Sequence, residues 1–158
     1  EQGPGGRTEL GLLEVALDGG SPEASRDWLG PDVDIAPQGE GSLGERMARV
    51  FENHFRAGAS RVVLVGTDVP ALTPAILARA FQALDVDDVA LGPARDGGYY
   101  LVALRRPVPH LFEGIAWGGP DVFAATLARA AFDGLSVVRL DVLSDVDTPE
   151  DLAAWRQV

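Results

Sequence analysis

Apolar and polar positions along the chain are arranged in blocks that predict alternating strands and helices. Residues 62–65 (VVLV) form an apolar run without alternation, as in a strand that is covered on both faces. Residues 42–58 show helical spacing, with the capping-box pair Ser42 and Glu45 at the start and Gly58 at the end. The predicted buried face of this helix consists of Leu43, Met47, Val50, Phe51 and Phe55. This alternation predicts a three-layer α/β/α protein with a mostly parallel sheet. We expect a single domain over residues 1–158, with residues 1–9 disordered.

The connection between the predicted strands DVALG and YYLVAL makes the expected sheet mixed. Only residues 93–98 separate these two strands. A parallel crossover needs roughly a dozen residues or more, so we expect the two strands to be antiparallel neighbours. A flavodoxin-like binding domain shares the order of strands and helices, but its sheet is typically all parallel. The short connection therefore argues against that alternative.

Composition excludes several classes of function. The formal net charge is −11 and all 13 basic residues are arginine, so we expect no nucleic-acid partner. No apolar run approaches 18 residues, so we expect no membrane partner. The chain has no cysteine, which fits a reducing compartment, and its first ten residues have no signal-peptide pattern. The predicted location is the cytoplasm.

Three acidic loops follow predicted strands: Asp68 in GTDVP, Asp96 in ARDGGYY, and Asp145 with Asp147 in SDVDTPEDL. Ligands of open α/β sheets bind beyond the carboxyl ends of the strands, so these carboxylates are expected at one edge. Oxygen ligands of this kind suit Mg²⁺ or Mn²⁺.

Each of these loops also has a simpler interpretation. Asp68 could cap a turn, Asp96 could belong to a hairpin turn, and Asp147 could help to begin a helix. Gly39 and Gly41 in QGEGSLG could form a flexible loop, or could let the backbone approach an anion at the following helix.

Five segments together resemble a known family. In chain order they are QGEGSLGERM, VVLVGTDVPALTP, LGPARDGGYYLVAL, LFEGIAWGGPDVF and SDVDTPEDL. They resemble the DUF2064 or glycosyltransferase-A-like proteins of the nucleotide-diphospho-sugar transferase superfamily. That family is related to the guanylyltransferase that makes the precursor of coenzyme F420. The resemblance runs from Leu12 to the C-terminus and implies a metal-dependent nucleotidyl- or glycosyl-transferase. Its substrates would be a nucleoside triphosphate or nucleotide sugar and a small-molecule acceptor.

The resemblance also implies roles for individual residues. Asp68 matches the aspartate that holds the divalent cation, and Asp147 matches a second metal carboxylate. The motifs contain no obvious general base, and Asp96 is the candidate that we would test first. The expected substrate-binding residues are Gly39, Gly41, Thr67, Gly97, Gly98 and Trp117.

The start of the chain departs from the family pattern. Related transferases begin with a strand and a Gly-rich phosphate loop that contains a KTRL-like segment, and this sequence has neither such a segment nor any lysine. We therefore expect the first strand–helix unit to be missing and this polypeptide alone to bind nucleoside triphosphates weakly. An uncovered sheet edge would invite pairing with another copy as a homodimer. A catalytically inactive binding or scaffold protein with the transferase fold is the alternative that this departure favours.

Overall fold

The computed structural model describes residues 11–146 together with Thr148 and Trp155. The chain divides into two compact units, one up to Gly41 and one from Ser42 onward. In the first unit, strands β1 (Glu14–Leu17) and β2 (Asp34–Pro37) pair in parallel and are connected by helix α1 (Pro22–Leu29).

The second unit is built around a four-stranded mixed sheet in the order β3-β5-β4-β6. Strand β5 runs antiparallel to both β3 and β4, whereas β4 and β6 are parallel. This confirms the predicted antiparallel pairing of DVALG and YYLVAL and rules out an all-parallel, flavodoxin-like sheet. The elements of the unit are α2 (Leu43–Arg56), β3 (Val62–Val65), α3 (Pro74–Ala83), β4 (Val89–Pro93), β5 (Tyr99–Leu104), a 3₁₀ turn (Pro109–Phe112), α4 (Val122–Phe132) and β6 (Val137–Arg139).

Helices cover both faces of this sheet, as the fold class requires. One apolar cluster joins Leu91 and Leu104 of the sheet to Phe51 of α2 and Ala130 of α4. A second cluster, on the opposite face, packs strand residues against α3. Because both faces of the sheet are buried, the strands lack an alternation of polar and apolar residues. The two helical layers confirm the predicted three-layer α/β/α fold. No helix in the described part of the chain is both long enough and apolar enough to span a membrane.

Helix α2 begins with the predicted capping box. The Ser42 N–H donates to the Glu45 carboxylate (2.7 Å), and the Glu45 N–H donates to the Ser42 hydroxyl oxygen (3.3 Å). Leu43 does not face the core as its spacing suggests, since it is 41% exposed. Gly44 is buried instead, because the Trp117 indole and the Phe112 carbonyl occupy the space beside it.

Strand β5 contains a β-bulge opposite the end of β4. Tyr99 lies opposite Pro93 and Leu101 lies opposite Gly92, so Tyr100 is the extra residue between them. Consecutive side chains of a regular strand point to opposite faces, yet Tyr100 and Leu101 both pack in the cluster beside α3. The bulge therefore redirects the Tyr100 side chain, as bulges near functional sites often do.

Asp88 joins three strands at the edge of the sheet where β4 begins. The Arg105 and Arg106 Nε–H groups donate to its Oδ1 (3.0 and 3.3 Å), and the Ser136 N–H donates to its Oδ2 (3.2 Å). Burial opposes ionisation of this carboxyl, but the hydrogen bonds from Ser136 and Arg106 outweigh that effect and lower the pKa of Asp88. The ionised Asp88 carboxylate thus connects the start of β4 to the end of β5 and the start of β6 by hydrogen bonds.

Candidate functional site

The three acidic loops come together at the carboxyl ends of β3, β4 and β6. The Val146 N–H donates to the Asp68 carbonyl oxygen (2.9 Å), which joins the loop after β6 to the loop after β3. The Arg95 N–H donates to the Leu143 carbonyl oxygen (3.1 Å), and the Leu143 N–H donates to that of Pro93 (3.1 Å). Backbone hydrogen bonds therefore connect the loops into one surface, at the edge where the sequence predicts ligand binding.

Asp68 lies three residues beyond the end of β3 and is exposed. The Gly66 N–H donates to the Tyr100 carbonyl oxygen (2.9 Å) and so prolongs the β3–β5 pairing by one residue. The Asp68 carboxylate lies back over Gly66, where a Cβ atom would be 2.9 Å from Oδ1. Among the residues that the structure describes, neither carboxylate oxygen accepts a hydrogen bond or pairs with a cation. The carboxylate is therefore available to a ligand, and Thr67 beside it is also exposed.

The loop after β6 is held at its beginning by side chains. The Tyr100 hydroxyl donates to the Asp141 carbonyl oxygen (3.1 Å), and the Asp141 carboxylate pairs with Arg79 of α3. This loop carries Asp145 and continues to Val146, which bonds to Asp68. The second predicted metal residue, Asp147, lies outside the described residues.

The turn between β4 and β5 has a well-defined internal structure. The Gly98 N–H donates to Asp96 Oδ1 (2.8 Å), which closes the turn. Gly97 has a φ of +95°, and its carbonyl oxygen accepts a hydrogen bond from the Phe123 N–H of α4 (2.9 Å). A Cβ atom on Gly97 would overlap the Pro120 carbonyl group. These contacts account for Asp96, Gly97 and Gly98 as residues that the turn requires. The role of Asp96 in catalysis and the role of the two glycines in acceptor binding stay predictions.

Trp117 packs between this turn and α2. Its indole lies against Gly44, where a Cβ atom would be 2.7 Å from the indole nitrogen, and it meets Tyr99 edge-on at 6.3 Å between ring centroids. Tyr99 is the first residue of β5, and burial raises its pKa. Trp117 is half-buried, so its packing role is clear and its role in substrate binding stays a prediction.

Gly39 and Gly41 lie between β2 and α2, and both are exposed with positive φ. Both glycines belong to the first unit, and their part in a phosphate site stays a prediction.

Arg95 is a candidate residue that the sequence reasoning missed. It is exposed in the turn that carries Asp96, and its guanidinium contacts no partner among the described residues. The other arginines described in the second unit have partners: Arg46, Arg49, Arg56, Arg61, Arg79, Arg105, Arg106, Arg129 and Arg139. The sequence contained one signal for Arg95, a positive charge beside the DGG turn of an acidic chain. This signal points to anion binding, because arginine is well suited to binding anions.

The oxygen donors at this edge fit one kind of metal site. The described residues contain no group of three or more His, Asp or Glu side chains that could hold a metal ion. Mg²⁺ commonly binds through one or two carboxylates together with substrate phosphates and water. Asp68 therefore suits a cation that is shared with a substrate rather than a cation enclosed by protein.

The mixed sheet between two helical layers, with acidic loops at its carboxyl edge, is the fold of nucleotide-diphospho-sugar transferases. A proposed nucleotide-diphospho-sugar transferase from Desulfovibrio desulfuricans G20 superposes with a TM-score of 0.83 at 38% identity, over 91% of this chain and 63% of that chain. The CMP:2-keto-3-deoxy-manno-octonic acid synthetase solved with CTP has a TM-score of 0.60 at 16% identity, over 93% of this chain and 80% of that chain. The second likeness concerns the fold alone.

Residues 6–119 match DUF2064, a family described as an uncharacterized protein conserved in bacteria, and this chain belongs to that family. The predicted family membership is thereby confirmed, and the match contains the first three of the five segments and most of the fourth. The 2-phospho-L-lactate guanylyltransferase of Methanopyrus kandleri is 36% identical over 94 residues, which cover 56% of this chain. The match spans 46% of that relative, less than half of its length.

Proposed function

We propose that this chain carries the cation- and nucleotide-binding edge of a nucleotidyltransferase-like enzyme. The observation that carries the proposal is the hydrogen-bonded surface formed by the three acidic loops, with the Asp68 carboxylate exposed on it. The relative from Methanopyrus kandleri is a guanylyltransferase, which favours a nucleoside triphosphate as substrate.

The proposed binding residues are acidic and basic groups from separate loops. Asp68, together with Asp147, would hold Mg²⁺ or Mn²⁺, and the bond from Val146 to Asp68 supports this pairing. When bound, the cation would offset charge on the phosphates and on the leaving pyrophosphate. Arg95 would contact a phosphate oxygen with its guanidinium, which has no partner within the described part of the chain. Thr67 would lie beside the same phosphates.

The acceptor would bind over the turn formed by Gly97 and Gly98, with Trp117 beside it. If the acceptor is an alcohol, Asp96 is the base that we would test first, although Gly98 already bonds to one of its oxygens. If the acceptor is a phosphate, its oxygen is already ionised and needs no base.

The test is Mn²⁺ binding, measured from the free Mn²⁺ signal in electron paramagnetic resonance, with and without GTP. Asp68→Asn should weaken binding by about 10–100-fold, because one charged ligand contributes ~1.5–3 kcal/mol. Asp133→Asn is the matched control, since Asp133 is an exposed carboxylate at the far end of α4 and should leave binding unchanged. Equal affinity in Asp68→Asn and the wild type would refute the proposed site.

Release of pyrophosphate from GTP, with 2-phospho-L-lactate as trial acceptor, separates an enzyme from a binding protein. An active chain should release pyrophosphate in proportion to acceptor consumed. Binding of Mn²⁺ without turnover would favour the inactive scaffold instead.

A further inference from the structure

Tyr100 has an unusual position in the sheet. It is the extra residue of the bulge, only 4% exposed, and its ring lies across Gly92 on the neighbouring strand. A Cβ atom on Gly92 would overlap the aromatic ring, so the glycine leaves the space that the ring occupies. The ring thereby crosses β4, and its hydroxyl reaches the Asp141 carbonyl oxygen beyond the end of β6 (3.1 Å).

The backbone of the same residue holds the other acidic loop. The Tyr100 carbonyl oxygen accepts the hydrogen bond of the Gly66 N–H (2.9 Å), two residues before Asp68. The two loops are also joined directly, because the Val146 N–H donates to the Asp68 carbonyl oxygen (2.9 Å). Tyr100, the Asp68 loop and the loop after β6 therefore form a closed ring of hydrogen bonds.

The tyrosine hydroxyl makes the side-chain hydrogen bond that holds the beginning of the loop after β6, and the backbone hydrogen bonds of Leu143 with Pro93 and Arg95 hold its middle. The Arg79–Asp141 ion pair also touches this loop, but both side chains are more than half exposed, and exposed pairs contribute little. Burial, and then the neighbouring Asp141 carboxylate, raise the pKa of Tyr100, so the hydroxyl stays protonated as a donor across the neutral range. Losing this donor would leave the Asp141 carbonyl without the partner that fixes its place.

We propose that Tyr100 is a positioning residue that sets the placement of the loop 141–146 against Asp68. For the cation this inference rests on the function proposed above. The placement of the loop itself does not, and it can be measured separately. The chemistry that depends on it is the convergence of carboxylate oxygens from two loops, which must agree within a few tenths of an ångström for a divalent cation.

The test compares Tyr100→Phe with Tyr99→Phe. The two changes remove one hydroxyl each from adjacent residues. The Tyr99 hydroxyl is buried without a hydrogen bond among the described residues. Amide hydrogen exchange at Leu143 and Val146, measured by NMR, reports the placement of the loop. We expect exchange there to become about 5–10-fold faster in Tyr100→Phe, as for loss of one hydrogen bond, and to stay within about twofold in Tyr99→Phe.

Two further readouts separate this inference from general stability and from the proposed function. In Tyr100→Phe, the Leu104 amide in the centre of the sheet should keep its protection, and Mn²⁺ affinity should fall about 5–10-fold. Uniform loss of protection across the sheet would overturn the positioning role in favour of a stability role, and unchanged exchange at Leu143 and Val146 would overturn it outright. If the wild type binds no Mn²⁺, the proposed function fails, while the exchange comparison still decides the role of Tyr100.

Discussion

Replacing Gly97 by alanine separates two reasons for a glycine in the turn between β4 and β5. The first reason is conformational, because φ is +95°. The second is steric, because a Cβ atom would overlap the Pro120 carbonyl group at the beginning of α4. Gly58, which follows α2, provides a matched control, with φ of +97° and no heavy atom within 4 Å of an added Cβ. Alanine at Gly58 therefore meets the conformational cost alone.

The expected losses in the free energy of unfolding differ between Gly97→Ala and Gly58→Ala by more than the error of the measurement. Positive φ costs an alanine about 1–2 kcal/mol at either position. At Gly97, overpacking against backbone adds roughly 1–3 kcal/mol, and displacing α4 weakens the hydrogen bond from the Phe123 N–H by about 1 kcal/mol more. We expect Gly97→Ala to lower the free energy of unfolding by ~3–6 kcal/mol in total, and Gly58→Ala by ~1–2 kcal/mol.

Urea denaturation of both variants, followed by circular dichroism, measures this difference. Thermal unfolding should agree, with Gly97→Ala melting roughly 10 °C below the wild type and Gly58→Ala only a few degrees below it. Equal losses in the two variants would show that only φ matters and would refute the steric argument. A stable Gly97→Ala variant that has lost substrate binding would instead favour a direct role of this glycine at the acceptor site.

Two further predictions concern residues that support the site from a distance. Asp88→Asn should lower the free energy of unfolding at neutral pH by about 1–3 kcal/mol in urea titrations, since it removes the charge from a buried carboxylate that accepts partly buried hydrogen bonds from Arg105, Arg106 and Ser136. Because folding lowers the pKa of Asp88, its contribution is complete above the unfolded pKa of about 4 and is lost only as pH falls through the folded value, so the wild type and variant should converge in acid and not in base. Gly44→Ala should destabilise the protein by roughly 1–3 kcal/mol, because the new methyl group meets the Trp117 indole and the Phe112 carbonyl. Helix propensity alone predicts a gain of about 1 kcal/mol, so the sign of the measured change decides between packing and propensity.

Sequence patterns were sufficient to predict the elements that depend only on residues close to one another in the chain. The Ser42–Glu45 spacing predicted the start of α2, and both capping hydrogen bonds are present. The six residues between DVALG and YYLVAL predicted the antiparallel pair, because chain length alone forbids a parallel crossover. Alternation of strands and helices predicted the α/β class, and family resemblance added the nucleotide-diphospho-sugar transferase fold, which the comparisons confirm.

Features that depend on distant partners could not be predicted in this way. Gly92 within a strand is a general signal of a bulge or a close approach, but it does not identify Tyr100 as the extra residue, because the bulge is a mismatch in register between two strands. Leu43 was assigned to the buried face of α2 by spacing, but the place beside the core belongs to Gly44, which packs under Trp117 from 73 residues further along the chain. Asp147 lies outside the described residues, so its role stays a prediction from the resemblance.

Asp68 and Asp96 show how structure distinguishes residues that the sequence treats alike. Both follow an apolar strand, and both could be turn residues or ligands. In the structure, one oxygen of Asp96 already accepts the Gly98 N–H (2.8 Å), so a cation or a proton would compete with a hydrogen bond of about 1 kcal/mol. The Asp68 carboxylate has no such bond among the described residues, and it lies over Gly66. Binding a cation at Asp68 therefore breaks no hydrogen bond within the described part of the chain, which makes Asp68 the stronger of the two candidates for a ligand.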